Sequence, residues 1–191
     1  AGCACGSSLP PRPTNFWLDL DRLAGRLITV DGQPILPLVG RRFPFAIAQR
    51  LDLLLELPAS EGAWPVFAVR EGDRARTGFV LKTRLGRVTR FAEMAAEPFP
   101  PLGLALEREL RAARPLPSRP TDRHHHLLLH EGPGYSWFLS NARGEPLPLV
   151  VRAGERVELT LQNRSSMAHP MDLHGHQVEV VAIDGVRFAG A

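Results

Sequence analysis

WPVFAVREGDRARTGFVLKT (64–83) holds two apolar runs, WPVFAVR (64–70) and TGFVLKT (77–83), on either side of the polar segment EGDRAR. Short runs rich in Val, Phe and Trp, closed by Gly and Asp, predict two strands joined by a turn. Upstream, RLDLLLELP (50–58) alternates only in part and reads as a strand buried on both faces. Further upstream, NFWLDL, GRLITV and FPFAIA are short β-type runs broken by Gly, Pro and the turn pair Asp31-Gly32. Downstream, PFPPLG stops the sheet, and LALERELRAAR (104–114) predicts a short helix with Glu107 and Arg111 one turn apart. After PLPSRP the β pattern resumes in HHHLLLHEG, YSWFLSN, PLVVRAGERVELTLQN and QVEVVAIDGVRF, with Asp184-Gly185 as a second hairpin turn. The fold class is therefore expected to be all-β with one short connector helix, and Trp17, Trp64 and Trp137 are expected to anchor its cores.

Composition narrows the function. The 191 residues are 44% hydrophobic and include 18 Pro and 17 Gly, which suits many short strands. No apolar run approaches the roughly 18 residues of a membrane-spanning helix, so no membrane span is expected. The net charge is +3, and its Arg residues are interspersed with Asp and Glu. Without a basic stripe, no nucleic-acid partner is expected. Cys3 and Cys5 are separated by one residue, a poor spacing for a structural disulfide, and do not settle the redox compartment.

The chain contains an internal echo. FWLDLDRLAGRLITVDG (16–32) lies over HPMDLHGHQVEVVAIDG (169–185), placing Asp19 on Asp172 and Leu20 on Leu173, with DG closing both copies. This suggests two related β-sandwich units. The expected organisation is an irregular segment at 1–14, a first unit at 15–91, a connector with the helix at 92–122 and a second unit at 123–191. Almost nothing precedes the first copy, whereas the chain ends soon after the second. The units therefore read as the back half and front half of two sandwiches, and the chain as incomplete. A composite sandwich formed by the two halves is the less favoured arrangement.

MAHPMDLHGHQ (167–177) concentrates the chemistry. On an extended strand His174 and His176 share a face. Pro170 fixes the backbone after His169, and Gly175 leaves room for close approach. Such imidazoles suit copper or zinc, and the chemistry alone also leaves open a buried, hydrogen-bonded His cluster. Alternation in HHHLLLH places His124, His126 and His130 on one strand face, a weaker metal candidate that reads more simply as an exposed strand start. SSMAHPMD has no glycine-framed nucleophile, so hydrolytic catalysis is not expected.

HPMDLHGH (169–176) resembles the HP-x-H-L-H-G-H motif of the multicopper oxidases, found in the third cupredoxin domain of laccase-like enzymes. The resemblance extends through RAGERVELTLQNRSSMAHP and YSWFLSNARGEPLPL. NFWLDLDRLAGRLITVDGQPI and IAQRLDLLLELP resemble the copper-free middle domain, so residues 15–191 are covered. It implies partial cupredoxin-like Greek-key units and copper as cofactor. Residue by residue, it implies His169 as a type 1 copper ligand and His174 as a type 3 ligand. Asp172 stands at the type 2 position, where the family has His, and a carboxylate is a harder, anionic donor. His176 matches a histidine that supports the ligands without binding copper.

The family's H-C-H segment, which carries the type 1 cysteine, and its first domain have no counterpart in these residues. The resemblance thus implies an oxidoreductase that couples one-electron oxidation of a small-molecule reductant, phenolic or a metal ion, to reduction of dioxygen to water. The chain alone is not expected to complete that cycle. The alternative is a non-catalytic copper-binding fragment or decayed relative. A periplasmic or secreted location follows from the family only.

Overall fold

The computed structural model describes residues 14–141, 143–144 and 148–188. Cys3 and Cys5, and the irregular 1–14 segment apart from Thr14, lie outside the described residues. Two compact units emerge: one runs to Pro115 and includes Ile183–Gly185, and the other holds Leu116–Ala182 and the residues from Val186 onward. The fold is all-β with one short helix, as the apolar runs predict.

The first unit is a pair of sheets. Strands β1 (Phe16–Asp19), β4 (Arg42–Phe45), β6 (Ala63–Arg70) and β7 (Arg76–Lys82) form one in the order β4-β1-β6-β7. Strands β2 (Gly25–Val30), β3 (Gln33–Gly40) and β5 (Leu51–Leu55) form the other in the order β3-β2-β5. Leu27 and Ile35 from the smaller sheet meet Phe43 and Val66 from the larger in one core, joined by Leu20, Leu23 and Leu106. On the opposite face of β6, Phe67 and Val69 pack with Ala95 and Phe99 in a second core. The strand buried on both faces is thus β6. The expectation of double burial for 50–58 fails because β5 is a sheet edge, with burial alternating along it.

Two further departures have local causes. Residues 33–40 carry Pro34 and Pro37 and give no clear strand signal, yet they form β3. Pro survives there because β3 lies at the edge of its sheet. The helix α1 spans only Ala105–Glu109, because residues beyond it turn extended and cover that edge. There the Leu36 amide donates to the Arg111 carbonyl at 2.8 Å, and the Ala113 amide to the Pro34 carbonyl at 3.0 Å. The DG turns are as predicted: Asp31 and Gly32 have φ of 50° and 79°, and Asp184 and Gly185 have 50° and 74°. Both residues of each pair occupy the left-handed region that Asp and Gly tolerate best. Trp64 packs against the first core and Trp17 against the second.

The second unit centres on β8 (Arg123–Gly132), which pairs parallel with β10 (Val157–Asn163) and antiparallel with β9 (Ser136–Asn141). A separate two-stranded hairpin joins β11 (Ala182–Ile183) to β12 (Val186–Arg187). Among the described residues, every sheet of three or more strands draws them from one block of the sequence. Leu127, Leu128 and Leu129 of β8 are buried, whereas Trp137 is 62% exposed and so is not the core anchor expected of it. Arg123 donates to both Glu155 carboxylate oxygens, at 3.0 and 2.8 Å, and ties the start of β8 to the segment entering β10. The Arg152 amide adds a third bond to Glu155 at 2.8 Å.

Two outcomes test this framework. Leu27 is fully buried, so Leu27→Ala should cost about 2–5 kcal/mol, read as a lower urea midpoint by tryptophan fluorescence. The Arg123 and Arg152 bonds hold the Glu155 carboxyl down from 4.5 to about 2. Because the folded value lies below the unfolded one, the stabilisation is present above about pH 4.5 and is lost as pH falls toward 2. In acid titrations, Glu155→Gln should flatten that part of the stability profile and leave stability above pH 5 lower by a pH-independent amount.

Candidate metal centre

The predicted ligand segment begins where β10 ends. Asn163 opens a tight loop and holds it from both sides. Its Nδ2 donates to the Met167 carbonyl at 2.6 Å, while its Oδ1 accepts the Ser165 amide at 2.9 Å and the Ser165 hydroxyl at 2.7 Å. The loop is also tied to β8. The Arg164 amide donates to the Leu129 carbonyl at 2.8 Å. Glu131 accepts the Ser166 amide and hydroxyl at 3.3 and 3.1 Å. This anchoring delivers His169, half-buried, with its Nε2 2.6 Å from Ser165 Oγ and its ring 5.9 Å from that of Trp137.

Beyond Pro170 the chain is not a strand. Leu173–His176 is a turn, closed by the His176 amide donating to the Leu173 carbonyl at 3.0 Å, with Gly175 at φ 74°. The expected shared strand face of His174 and His176 is therefore absent. His174 Nε2 instead faces Asp172 Oδ2 at 3.6 Å, both highly exposed, and His176 Nδ1 lies 3.1 Å from the His174 carbonyl. The same closure occurs in the first copy of the echo, where the Leu23 amide donates to the Leu20 carbonyl at 2.9 Å. There the left-handed residue is Asp21 rather than a glycine, and Asp19 Oδ1 accepts the Asp21 amide at 3.1 Å. The aspartate shared by the two copies is thus buried and structural at Asp19 and solvent-facing beside a histidine at Asp172.

Among the described residues no three His, Cys, Asp or Glu side chains converge closely enough to hold a metal ion. Asp172 and His174 do offer two donors 3.6 Å apart. An imidazole beside a carboxylate fits copper in donor type and supplies part of a coordination sphere. His169 stands apart from this pair, with Ser165 at its Nε2.

The other histidines do not assemble. His130 bonds Ser140 Oγ at 3.0 Å and stacks on Phe138 with ring centroids 4.8 Å apart. His124 and His126 are exposed, and His125 is half-buried, its Nε2 without a hydrogen-bond partner among the described residues. With Asn141 and Arg143 they line an open cleft of about 230 Å³. Sequence reading missed the residues that hold His169: Asn163, Ser165 and Glu131. Their only sequence trace is the Asn-x-Ser spacing of a side-chain-capped turn.

Residues 120–187 match the family model described as multicopper oxidase. The chain is 30% identical over 172 residues to multicopper oxidase MmcO of Mycobacterium tuberculosis, which covers 85% of this chain and 33% of that protein. It thus spans a third of the length of this curated relative. Among solved structures it is similar to the laccase from Botrytis aclada, at 14% identity and TM-score 0.48, covering 66% of this chain and 25% of that one. It is also similar to Fet3p, described as a multicopper oxidase that functions in iron import, at 9% identity and TM-score 0.44, covering 67% of this chain and 26% of that one.

Apart from its chain neighbours, nothing among the described residues lies within 4 Å of where a Cβ on Gly175 would sit, so a substitution there acts through backbone conformation. Gly175→Ala places a side chain in the left-handed region at a cost of about 1–2 kcal/mol. Hydrogen exchange of the His176 amide should accelerate by about 5- to 30-fold, while amides of β8 keep their rates.

Proposed function

Because the chain belongs to the multicopper oxidase family, we propose that it contributes copper ligands to an oxidoreductase. That oxidoreductase couples one-electron oxidation of a small-molecule reductant, phenolic or a metal ion, to reduction of dioxygen to water. The observation that carries this reading is the HPMDLHGH segment itself, in which Asp172 and His174 present adjacent donors next to a loop that fixes His169. In this reading residues 15–91 and 123–191 are two partial cupredoxin-like domains joined through 92–122, and the setting is periplasmic or secreted. No helix among the described residues is long and apolar enough to cross a membrane.

His169 would serve the type 1 copper and His174 the type 3 copper, with Asp172 at the type 2 position. Bound copper supplies one-electron redox chemistry. The protein's own contribution is orientation. The Asn163 loop and Trp137 fix the His169 ring, and the turn at Gly175 turns His174 toward Asp172. His176 Nδ1 lies against the His174 carbonyl and so buttresses this turn instead of adding a ligand. A second reading, copper binding without catalysis, draws on Asp172 replacing an imidazole and on the presence of only two convergent donors among the described residues.

Copper(II) titration of the 191-residue chain, followed by electron paramagnetic resonance, tests the binding. Outer hydrogen-bond partners of metal ligands typically change affinity about 10- to 100-fold, and a direct ligand matters at least as much. His174→Gln should therefore weaken binding by ten-fold or more, and Asp172→His should restore nitrogen coupling expected of an all-imidazole pair. Equal affinities for the wild type and His174→Gln would defeat the ligand assignment. Oxidation of a phenolic dye by the copper-loaded chain supports the oxidase, whereas copper uptake without turnover supports the second reading.

A further inference from the structure

We propose that Ser165, held in place by Asn163, is the positioning residue for His169: its Oγ accepts the Nε2–H hydrogen and so selects the imidazole tautomer that leaves Nδ1 as the free donor atom. The proposal rests on the reading of His169 as a metal ligand only for its purpose; the tautomer follows from local hydrogen-bond geometry.

The one hydrogen of the Ser165 hydroxyl decides the tautomer. The orientation of the Asn163 amide is set by two backbone groups of opposite character. The Met167 carbonyl can only accept, so Nδ2 lies against it at 2.6 Å, and the Ser165 amide can only donate, so Oδ1 receives it at 2.9 Å. Ser165 Oγ then lies 2.7 Å from Asn163 Oδ1 and 3.1 Å from the Met167 carbonyl, neither of which carries a hydrogen. The hydroxyl hydrogen must go to one of these oxygens. If it pointed at His169 instead, Oγ and Oδ1 would face each other at 2.7 Å with no hydrogen between them. Oγ also accepts the Met167 amide at 3.2 Å. Toward His169 Nε2, at 2.6 Å, Oγ therefore offers only a lone pair, and Nε2 must carry hydrogen. A neutral imidazole protonated at Nε2 has its lone pair on Nδ1.

The arrangement is secured from outside the loop. Glu131 holds the neighbouring Ser166, the Leu129 carbonyl holds Arg164, and Trp137 limits ring rotation from one side. The role resembles that of hydrogen-bond partners that fix the tautomer and direction of ligating histidines.

The test is 15N nuclear magnetic resonance of the imidazole rings in the full chain at about pH 8. His169→Gln identifies the His169 signals. The wild type should show a pyridine-type Nδ1 and a protonated Nε2. In Ser165→Ala the two shifts should move toward each other as both tautomers populate, and Ser165→Thr, which keeps the hydroxyl, should restore their separation. A pyridine-type Nε2 in the wild type overturns the proposal, as do His169 shifts that are identical in the wild type and Ser165→Ala. Copper(II) is the second probe: Ser165→Ala should lower its affinity at His169 by about 10- to 100-fold, with Ser165→Thr close to wild type. Copper that leaves the wild-type His169 signals unchanged refutes His169 as a ligand and leaves the tautomer result standing, so the two failures are distinct.

Discussion

Strand β6 is apolar on both faces, and the first unit is built around that constraint. A strand exposing Val66 on one side and Phe67 and Val69 on the other needs two covers, since each face carries apolar area worth about 25 cal/mol per Å² when removed from water. The sheet β3-β2-β5 provides one cover. Residues around Ala95 and Phe99, folding back along the strand, provide the other. Short bonds to polar ends secure this second cover: the Phe99 amide donates to the Asp73 carbonyl at 2.9 Å, and the Gly72 amide to the Phe99 carbonyl at 2.8 Å. Burial on both faces thus explains why the segment after β7 does not leave the unit.

The second unit is organised differently. Its buried apolar side chains are concentrated in Leu127, Leu128 and Leu129 of the central strand, while Phe138 and Leu161 on the neighbouring strands are exposed. Polar contacts therefore carry much of the local order around residues 163–169. Arg123 and Glu155 fix where β8 and β10 start, and Asn163, Ser165 and Glu131 fix where β10 ends. Hydrogen bonds of this kind fix both the position and the direction of the groups they join.

The internal echo links the units by local conformation. Both copies close a turn with the same amide-to-carbonyl bond, from Leu23 to Leu20 and from His176 to Leu173, and both end in an Asp-Gly hairpin turn. What differs is the environment of the shared aspartate. Asp19 is buried, accepts the Asp21 amide and lies 3.6 Å from Arg42, whereas Asp172 is exposed and lies 3.6 Å from His174. The same residue type thus caps a turn in one copy and faces solvent beside an imidazole in the other.

The sequence alone determined the β class, the two DG turns and the concentration of donor side chains in 169–176, because each depends on local chemistry: side-chain alternation, tolerance of positive φ and the identity of the donor atoms. The resemblance to the HP-x-H-L-H-G-H motif also set Asp172 apart, where that motif has His. Only the tertiary structure decided that β6, not 50–58, is the doubly buried strand, since the sequence does not say which strand lies at an edge. It likewise decided that a proline-bearing strand is tolerated as β3, that the helix stops at Glu109 in favour of edge pairing, and that His174 turns away from the face of His176. The hold on His169 belongs to the same class. Asn163, Ser165 and Glu131 are ordinary polar residues in the chain, and they acquire a role only where folding brings their few hydrogen-bonding groups within 3.3 Å of one another's partners.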